Sequence, residues 1–329
     1  DRLGEAVAAD RFAHEALVLA EASGRARPAA LALGMIAWGH FLRQEYPQAA
    51  AFAARARVWA ERAGDPVYLV QMRLLSAHVA VRTADFDRAR EWIAEAREQA
   101  SKLTSNERLL SSAAHLEAQV AYASNDFVRA LALARAAAEQ GHRHGIGMSH
   151  ANGVLLQCEC AFEMGDLDAA EHLGQEALDL YRRVGGARFE AKALLTLGLT
   201  RLRAGRRAEA LADLTRAVDL FRPHGMPADS AEATAWLAWA HWQCGDADAA
   251  RADIEALLAG GLPSVPAINV LFNVHRVLQA LGDPRAGGYL AAAHRRLQQH
   301  AELIADPVVR DRWLQGSDLH RELLAAWAA

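Results

Sequence analysis

The chain has 329 residues, with 36 basic and 40 acidic side chains, 14 histidines and three cysteines. Its length is ample for a large core. The net charge of −4, with no basic run, excludes a dedicated nucleic-acid surface, and no apolar stretch approaches the roughly 18 uncharged residues of a membrane span. Three cysteines make no disulfide framework and fit a reducing cytoplasm. About a fifth of the chain is alanine, and Val, Ile and Thr are sparse, so the composition predicts an all-α fold.

In chain order, the pattern predicts an unpaired helix over 3–22, the second half of a hairpin whose first half is missing. Helical hairpins follow over 28–63, 66–102, 106–143, 147–184, 187–222, 228–259 and 266–300. A capping helix pair, opened by Asp306-Pro307, then runs over 306–327, proline being suited to a first helical position. The Pro-rich turn at Pro263 and Pro266 is the one irregularity. The expectation is a single superhelical domain over 1–329, a fragment of a larger multidomain protein.

The register rests on three columns of small residues. The first is Ala9, Ala49, Ala89, Ala130, Ala170, Ala210, Ala250 and Gly287, mostly spaced by 40 residues. Seven residues later come Ala16, Ala56, Ala96, Ala137, Ala177 and Ala217, then Leu257 and His294. Twelve residues earlier come Ala37, Ala77, Ala118, Cys158, Gly198 and Ala238, then the bulkier His275. A seven-residue step returns to one helix face, so these columns mark close helix crossings. Four residues before the first column stand Glu45, Asp85, Asp126, Asp166, Arg206, Asp246 and Asp283, six of them acidic and suited to opening a helix. Gly165, Gly205, Gly245 and Gly282 precede these positions and predict tight turns, whereas Gly64, Gly141, Gly185 and Gly225 are expected to end second helices. Such hairpins bury their faces only by stacking.

The stretch Cys158 to Leu180, CECAFEMGDLDAAEHLGQEALDL, resembles the tetratricopeptide repeat, and Leu197-Gly198 with Gly205 to Leu220 matches it again. The family period is about 34; 40 implies longer helices. Long repeats of this kind resemble the superhelical sensor region of the maltose-operon transcription activator and related bacterial signalling ATPases. The closing stretch, with His294-Arg-Arg-Leu, Asp306-Pro307, Arg310, Trp313-Leu314 and His320, is similar to the end of that class.

No nucleotide loop, metalloprotease motif or nucleophile elbow occurs, and the paired carboxylates at repeat turns are explained by capping, so no enzyme, cofactor or metal is expected. His142, His144 and His150 could supply metal nitrogens, but no cysteine or carboxylate completes the set, and histidines also suit a helix C-terminus. The resemblance implies that first helices line an inner groove, with ligands meeting positions one and four after the small first-helix column. Those positions include Trp38, Phe41, His78, Gln119, Tyr122, Glu159, Phe162, Trp239 and Trp242, and Trp236 lies on the same side of its helix. Two explanations stand: the rings fill gaps between first helices, or they wall a groove that binds a peptide or small ligand. Trp59, Trp92, Trp313 and Trp327 are expected in the core.

The expected function is a non-catalytic interaction or sensor domain of a bacterial transcription or signalling regulator. It would be cytoplasmic and would bind a protein, peptide or small effector in its concave groove, its own N-terminal ATPase or output domains lying outside this chain. The alternative is a pure protein–protein scaffold with no small ligand. No direct contact with nucleic acid or membrane is expected; a homodimer is allowed.

Overall fold

Two residue types punctuate the chain. Within each hairpin one turn residue takes the left-handed backbone: Gln44, Ala84, Asn125, Gly165, Gly205, Gly245 and Gly282, with φ between 56° and 84°. In all but the last hairpin the next residue opens the second helix; in the last, Arg285 does. Asp85, Asp126, Asp166 and Asp246 each accept a hydrogen bond from the amide three residues on, at 2.9–3.3 Å. These bonds satisfy amides that a helix start leaves without an internal partner. Glu45 does not cap; its carboxylate accepts from His40 and Arg43 instead.

The computed structural model describes residues 2–222, 226–263 and 266–329, which form 17 helices and no strand. A lone helix α1 (Arg2–Ala22) precedes seven hairpins: α2 (Ala26–Leu42) with α3 (Tyr46–Arg62), α4 (Pro66–Arg82) with α5 (Phe86–Ser101), α6 (Glu107–Ala123) with α7 (Phe127–Arg143), α8 (Gly147–Met164) with α9 (Leu167–Val184), α10 (Ala187–Arg203) with α11 (Arg207–Phe221), α12 (Pro227–Gln243) with α13 (Ala247–Ala259), and α14 (Ile268–Ala280) with α15 (Ala286–Leu303). Helices α16 (Pro307–Gly316) and α17 (Asp318–Ala328) close the chain. The side chain of Ala9 and all of Gly225 lie outside the described residues.

From α3 to α13 the small columns are the crossing points; on α1 the column residue Ala16 is exposed, and Ala13, Leu17 and Ala20 are buried instead. Ala49, Ala89, Ala130, Ala170, Ala210 and Ala250 are fully buried, as are Ala37, Ala77, Ala118, Cys158 and Ala238 opposite them. Cys158 donates through its thiol to the Ala170 carbonyl at 3.0 Å, so side chain and facing backbone are in contact. Three further expectations are corrected. In the last hairpin Ala286 and Ala293, not Gly287 and His294, occupy the buried column. The cause is local: after Asp283-Pro284 the chain makes i→i+3 bonds, Ala286 to Asp283 and Gly288 to Arg285, and this tighter winding brings residue 286 to the crossing. Gly141 does not end α7 but lies inside it, buried against the backbone of Ser149 and His150, and the left-handed residue of that turn is Gly145. Trp327 is 48% exposed, one face of its ring stacked on His294 at 4.3 Å, so it is not in the core.

First helices of successive hairpins touch one another from α2 to α14, whereas successive second helices make no substantial contact. The stack therefore curves with first helices inside. The curvature is tight enough to close: one buried cluster joins Leu74, Phe86 and Leu116 of α4–α6 to Phe272, Leu297 and Trp313 of α14–α16. At the seam the Asn125 amide donates to the Trp313 carbonyl at 2.8 Å, and the Arg312 guanidinium donates to the Ser124 carbonyl at 3.1 Å.

Candidate functional site: the inner wall of the superhelix

Because first helices face inward, every third or fourth residue along them lines a central lumen. At its N-terminal end Trp38 stacks on Phe41 with ring centroids 5.3 Å apart, and His78 packs edge-on against Trp38 at 6.3 Å and beside Phe41 at 5.7 Å. The same face of α2 carries Leu31 and Met35, seven and three residues before Trp38 along the stripe; Leu31, Met35 and Trp38 are 43%, 58% and 43% exposed. This is an apolar strip left in water inside a molecule whose other large apolar side chains are mostly covered.

The remaining residues singled out in the sequence are spread around the wall. Glu159 is paired with Lys192 at 3.4 Å. Phe162 lies beneath the Arg203 guanidinium, and Trp239 beneath that of Arg276 at 3.8 Å. Trp236, Trp239 and Trp242 are half-buried and also pack against the cores between α10, α12 and α14. The Trp236 indole nitrogen is buried without a partner among the described residues. Gln119 and Tyr122 are half-buried on α6; burial raises the Tyr122 pKa, and Glu163, Glu159 and Glu232 raise it further. Trp38, Phe41 and His78 are in mutual ring contact.

Sequence reasoning missed the polar floor. Arg82, His115, Arg188, Asp229, Glu232 and Asn269 continue the same inner stripe in either direction from the positions chosen, and charge on an otherwise apolar helix was the available signal. The Asn269 amide donates to Glu232 at 2.6 Å, joining α14 to α12. Asp229 and Glu232 act electrostatically on Arg82 from across the lumen. The C-terminal helix closes one mouth: Asp318 pairs with Arg203, and Glu322 with Arg276 at 3.5 Å.

These surroundings set a pH dependence. Burial, with Arg82 nearby, pushes His78 down to about 4, and burial with His78 and Lys192 pushes His115 down to about 3. Burial and Arg296 bring His300 to about 4. The unfolded chain binds protons at these histidines below pH 6.5 while the folded chain does not, so their contribution is lost as pH falls from 6.5 to about 4. Glu163 opposes this. Burial and Asp318 raise it to about 7, a contribution present below its unfolded value and lost as pH rises towards 7. Three groups outweigh one, although water in the lumen screens part of each effect. The melting temperature is expected to drop several degrees between pH 7 and pH 5, and less so in His115→Gln, as measured by scanning calorimetry.

A tetratricopeptide-repeat family model matches residues 152–222, spanning α8 to α11. The fold is an all-α superhelix like that of tetratricopeptide-repeat solenoids. No curated protein sequence matches it. Among solved structures, the solenoid superposes on the Rap conjugation gene regulator of plasmid pLS20 in complex with the Phr* peptide, with TM-score 0.69, 14% identity, and coverage of 87% of this chain and 78% of that one. A Rap protein complexed with Competence and Sporulation Factor gives TM-score 0.60 at 13% identity, covering 99% and 98% of the two chains. The tetratricopeptide-repeat sensor STAND protein PH0952 of Pyrococcus horikoshii gives 0.54 at 15% identity, where the solenoid accounts for 87% of its own length and 44% of the other chain. At these identities the likeness is one of fold. No helix of the described residues is long and apolar enough to cross a membrane.

Proposed function

We propose that this solenoid is a single non-catalytic binding domain of a bacterial transcription or signalling regulator, taking a peptide or a short protein segment into its lumen. The observation that carries this is the strip of Leu31, Met35 and Trp38 with Phe41 and His78. Water-exposed aromatic and aliphatic side chains in a concavity are where a ligand gains most by displacing solvent. The polar floor beyond, with Glu232, Asn269 and Lys192, offers donors and acceptors to a peptide backbone. Structural neighbours described as a Rap regulator with its peptide and a repeat sensor of a signalling ATPase support the same assignment.

Binding at this wall shifts the population towards whichever curvature grips the ligand, and so transmits the event. A small effector in the same lumen is the finer variant, and the same experiment reads it. Peptides and metabolites are screened by thermal shift, and hits are titrated by calorimetry against wild type and Trp38→Ala. Loss of about 2 kcal/mol of binding, roughly thirtyfold, is expected with an unchanged melting temperature, since Trp38 is 43% exposed. A hit that binds Trp38→Ala as tightly as wild type removes this wall as the site. A stable protein partner with no small ligand or peptide favours the scaffold.

A further inference from the structure

The seam where the superhelix closes contains a cavity of about 200 Å³ that shares Arg82 with the lumen floor but is otherwise separate from the Leu31–Trp38 strip. Its lining comes from both ends of the stack: Tyr46 of α3, Arg82 and Val81 of α4, Arg296 and His300 of α15, and Trp313 of α16. Two guanidiniums line it, and no carboxylate does. The Arg82 Nε donates to the Tyr46 hydroxyl at 3.1 Å and has no carboxylate within ion-pair distance among the described residues; Glu232 and Asp229 reach it only as more distant charges. Arg296 has neither an ion pair nor a hydrogen-bond partner among the described residues, and burial lowers its pKa.

This differs from the other large cavity, of about 210 Å³ between α5, α6 and α7. There Arg97 is paired with Glu117 at 2.6 Å, and Arg312 with Asp126 at 3.5 Å, so two carboxylates already stand in its wall. At the seam two guanidiniums line one cavity whose wall holds no carboxylate; Arg296 is half-buried and Arg82 exposed, so an anion entering the cavity meets charged donors that no acid engages directly. The third titratable base present, His300, is held neutral by burial and by Arg296, His320 and Arg82, so it can accept or donate one hydrogen bond without competing for charge.

We propose that the seam cavity binds a small organic anion. One carboxylate or phosphoryl group sits between Arg82 and Arg296, within reach of the Tyr46 hydroxyl, and an apolar body lies against Phe86, Ile268 and Trp313. Guanidiniums suit such groups because their planar fork offers paired donors. The volume corresponds to roughly ten non-hydrogen atoms. Because Arg82 belongs to the start of the stack and Arg296 to its end, the bound anion would fasten the closed form.

The test uses the whole chain with phenyl phosphate, benzoate and inorganic phosphate, each against sodium chloride at matched ionic strength. At least one of the two organic anions should raise the melting temperature saturably and bind at least tenfold more tightly than inorganic phosphate. Benzoate against phenyl phosphate tells a carboxylate ligand from a phosphoryl one. Arg296→Gln should weaken binding at least tenfold while leaving the ligand-free melting temperature unchanged or higher, since no native partner is lost. Arg82→Lys should weaken it as well. Stabilisation no greater than that of sodium chloride, equal binding of inorganic phosphate, or binding that persists in Arg296→Gln would overturn the proposal.

Discussion

Gly153→Val is expected to destabilise the chain by about 3 kcal/mol, among the largest effects available to a single added side chain. Gly153 lies in the middle of α8, fully buried where that helix crosses α7. A Cβ placed there would lie 2.7 Å from the backbone nitrogen of Ala138 and 2.8 Å from its Cα and Cβ. Two of those are main-chain atoms of a packed helix and the third is fixed to them, so relief requires the two helices to separate, and overpacking of this kind commonly costs about 1–3 kcal/mol or more. The loss would not be shared evenly. A solenoid's stability is a sum over units and their interfaces, so hydrogen exchange should accelerate in α7 and α8 while α12–α15 stay protected. Gly287→Ala is the control with the opposite sign. It adds the same first carbon in open space on helix α15, where nothing lies within 4 Å, and replacing glycine by alanine there should gain up to about 1 kcal/mol. Denaturant titration of both variants checks the pair; equal effects would show that the α7–α8 crossing is not tight.

The contrast also explains what could be read from the sequence. Crossing points repeat, and each demands a small residue whatever its neighbours do, so Ala89, Ala130 and Ala170 mark the register without any knowledge of the whole. Capping is equally local: Asp85, Asp126, Asp166 and Asp246 act on amides three residues away. Where the local rule changed, the register moved with it, as at Pro284, which tightens one turn and brings Ala286 to the crossing. Closure is different. It depends on a small rotation per hairpin summed around the stack, and no single residue records that sum. Hence Asn125 could be placed in a turn, but not against Trp313, which is 188 residues away in the chain. The aromatic end of the lumen was legible for the same reason as the crossings, since Trp38, Phe41 and His78 fall at fixed offsets from the small column. The floor built by Arg82, Glu232 and Asn269 was not, because its members come together only when the ring closes.

Trp313→Ala is the second large effect, and it tests closure directly. Trp313 is 6% exposed, lies 4.5 Å from the His320 ring, and packs in the cluster that joins the two ends of the stack. Its backbone carbonyl accepts hydrogen bonds from Asn125 and from the His320 Nδ1, both at 2.8 Å, so the side chain also anchors the segment on which these bonds depend. Truncating a buried tryptophan costs about 3–5 kcal/mol through lost burial and the cavity left behind. Here that loss falls on the seam rather than on the hairpins, whose own crossings are untouched. The expected result is a chain that keeps its helical circular dichroism while its radius of gyration in solution scattering increases. Hydrogen exchange should rise in α16, α17 and the Ser124–Asp126 turn before it rises in α8–α11. Loss of helicity throughout would mean that closure holds the hairpins together as well as the ends. An unchanged radius would mean that the ion pairs Arg203–Asp318 and Arg276–Glu322 suffice to keep the mouth shut. The water-exposed Leu31–Trp38 strip lies outside the seam cluster, so the seam and the lumen wall can be perturbed separately: opening the first should alter how readily a ligand enters, and truncating Trp38 how tightly it stays.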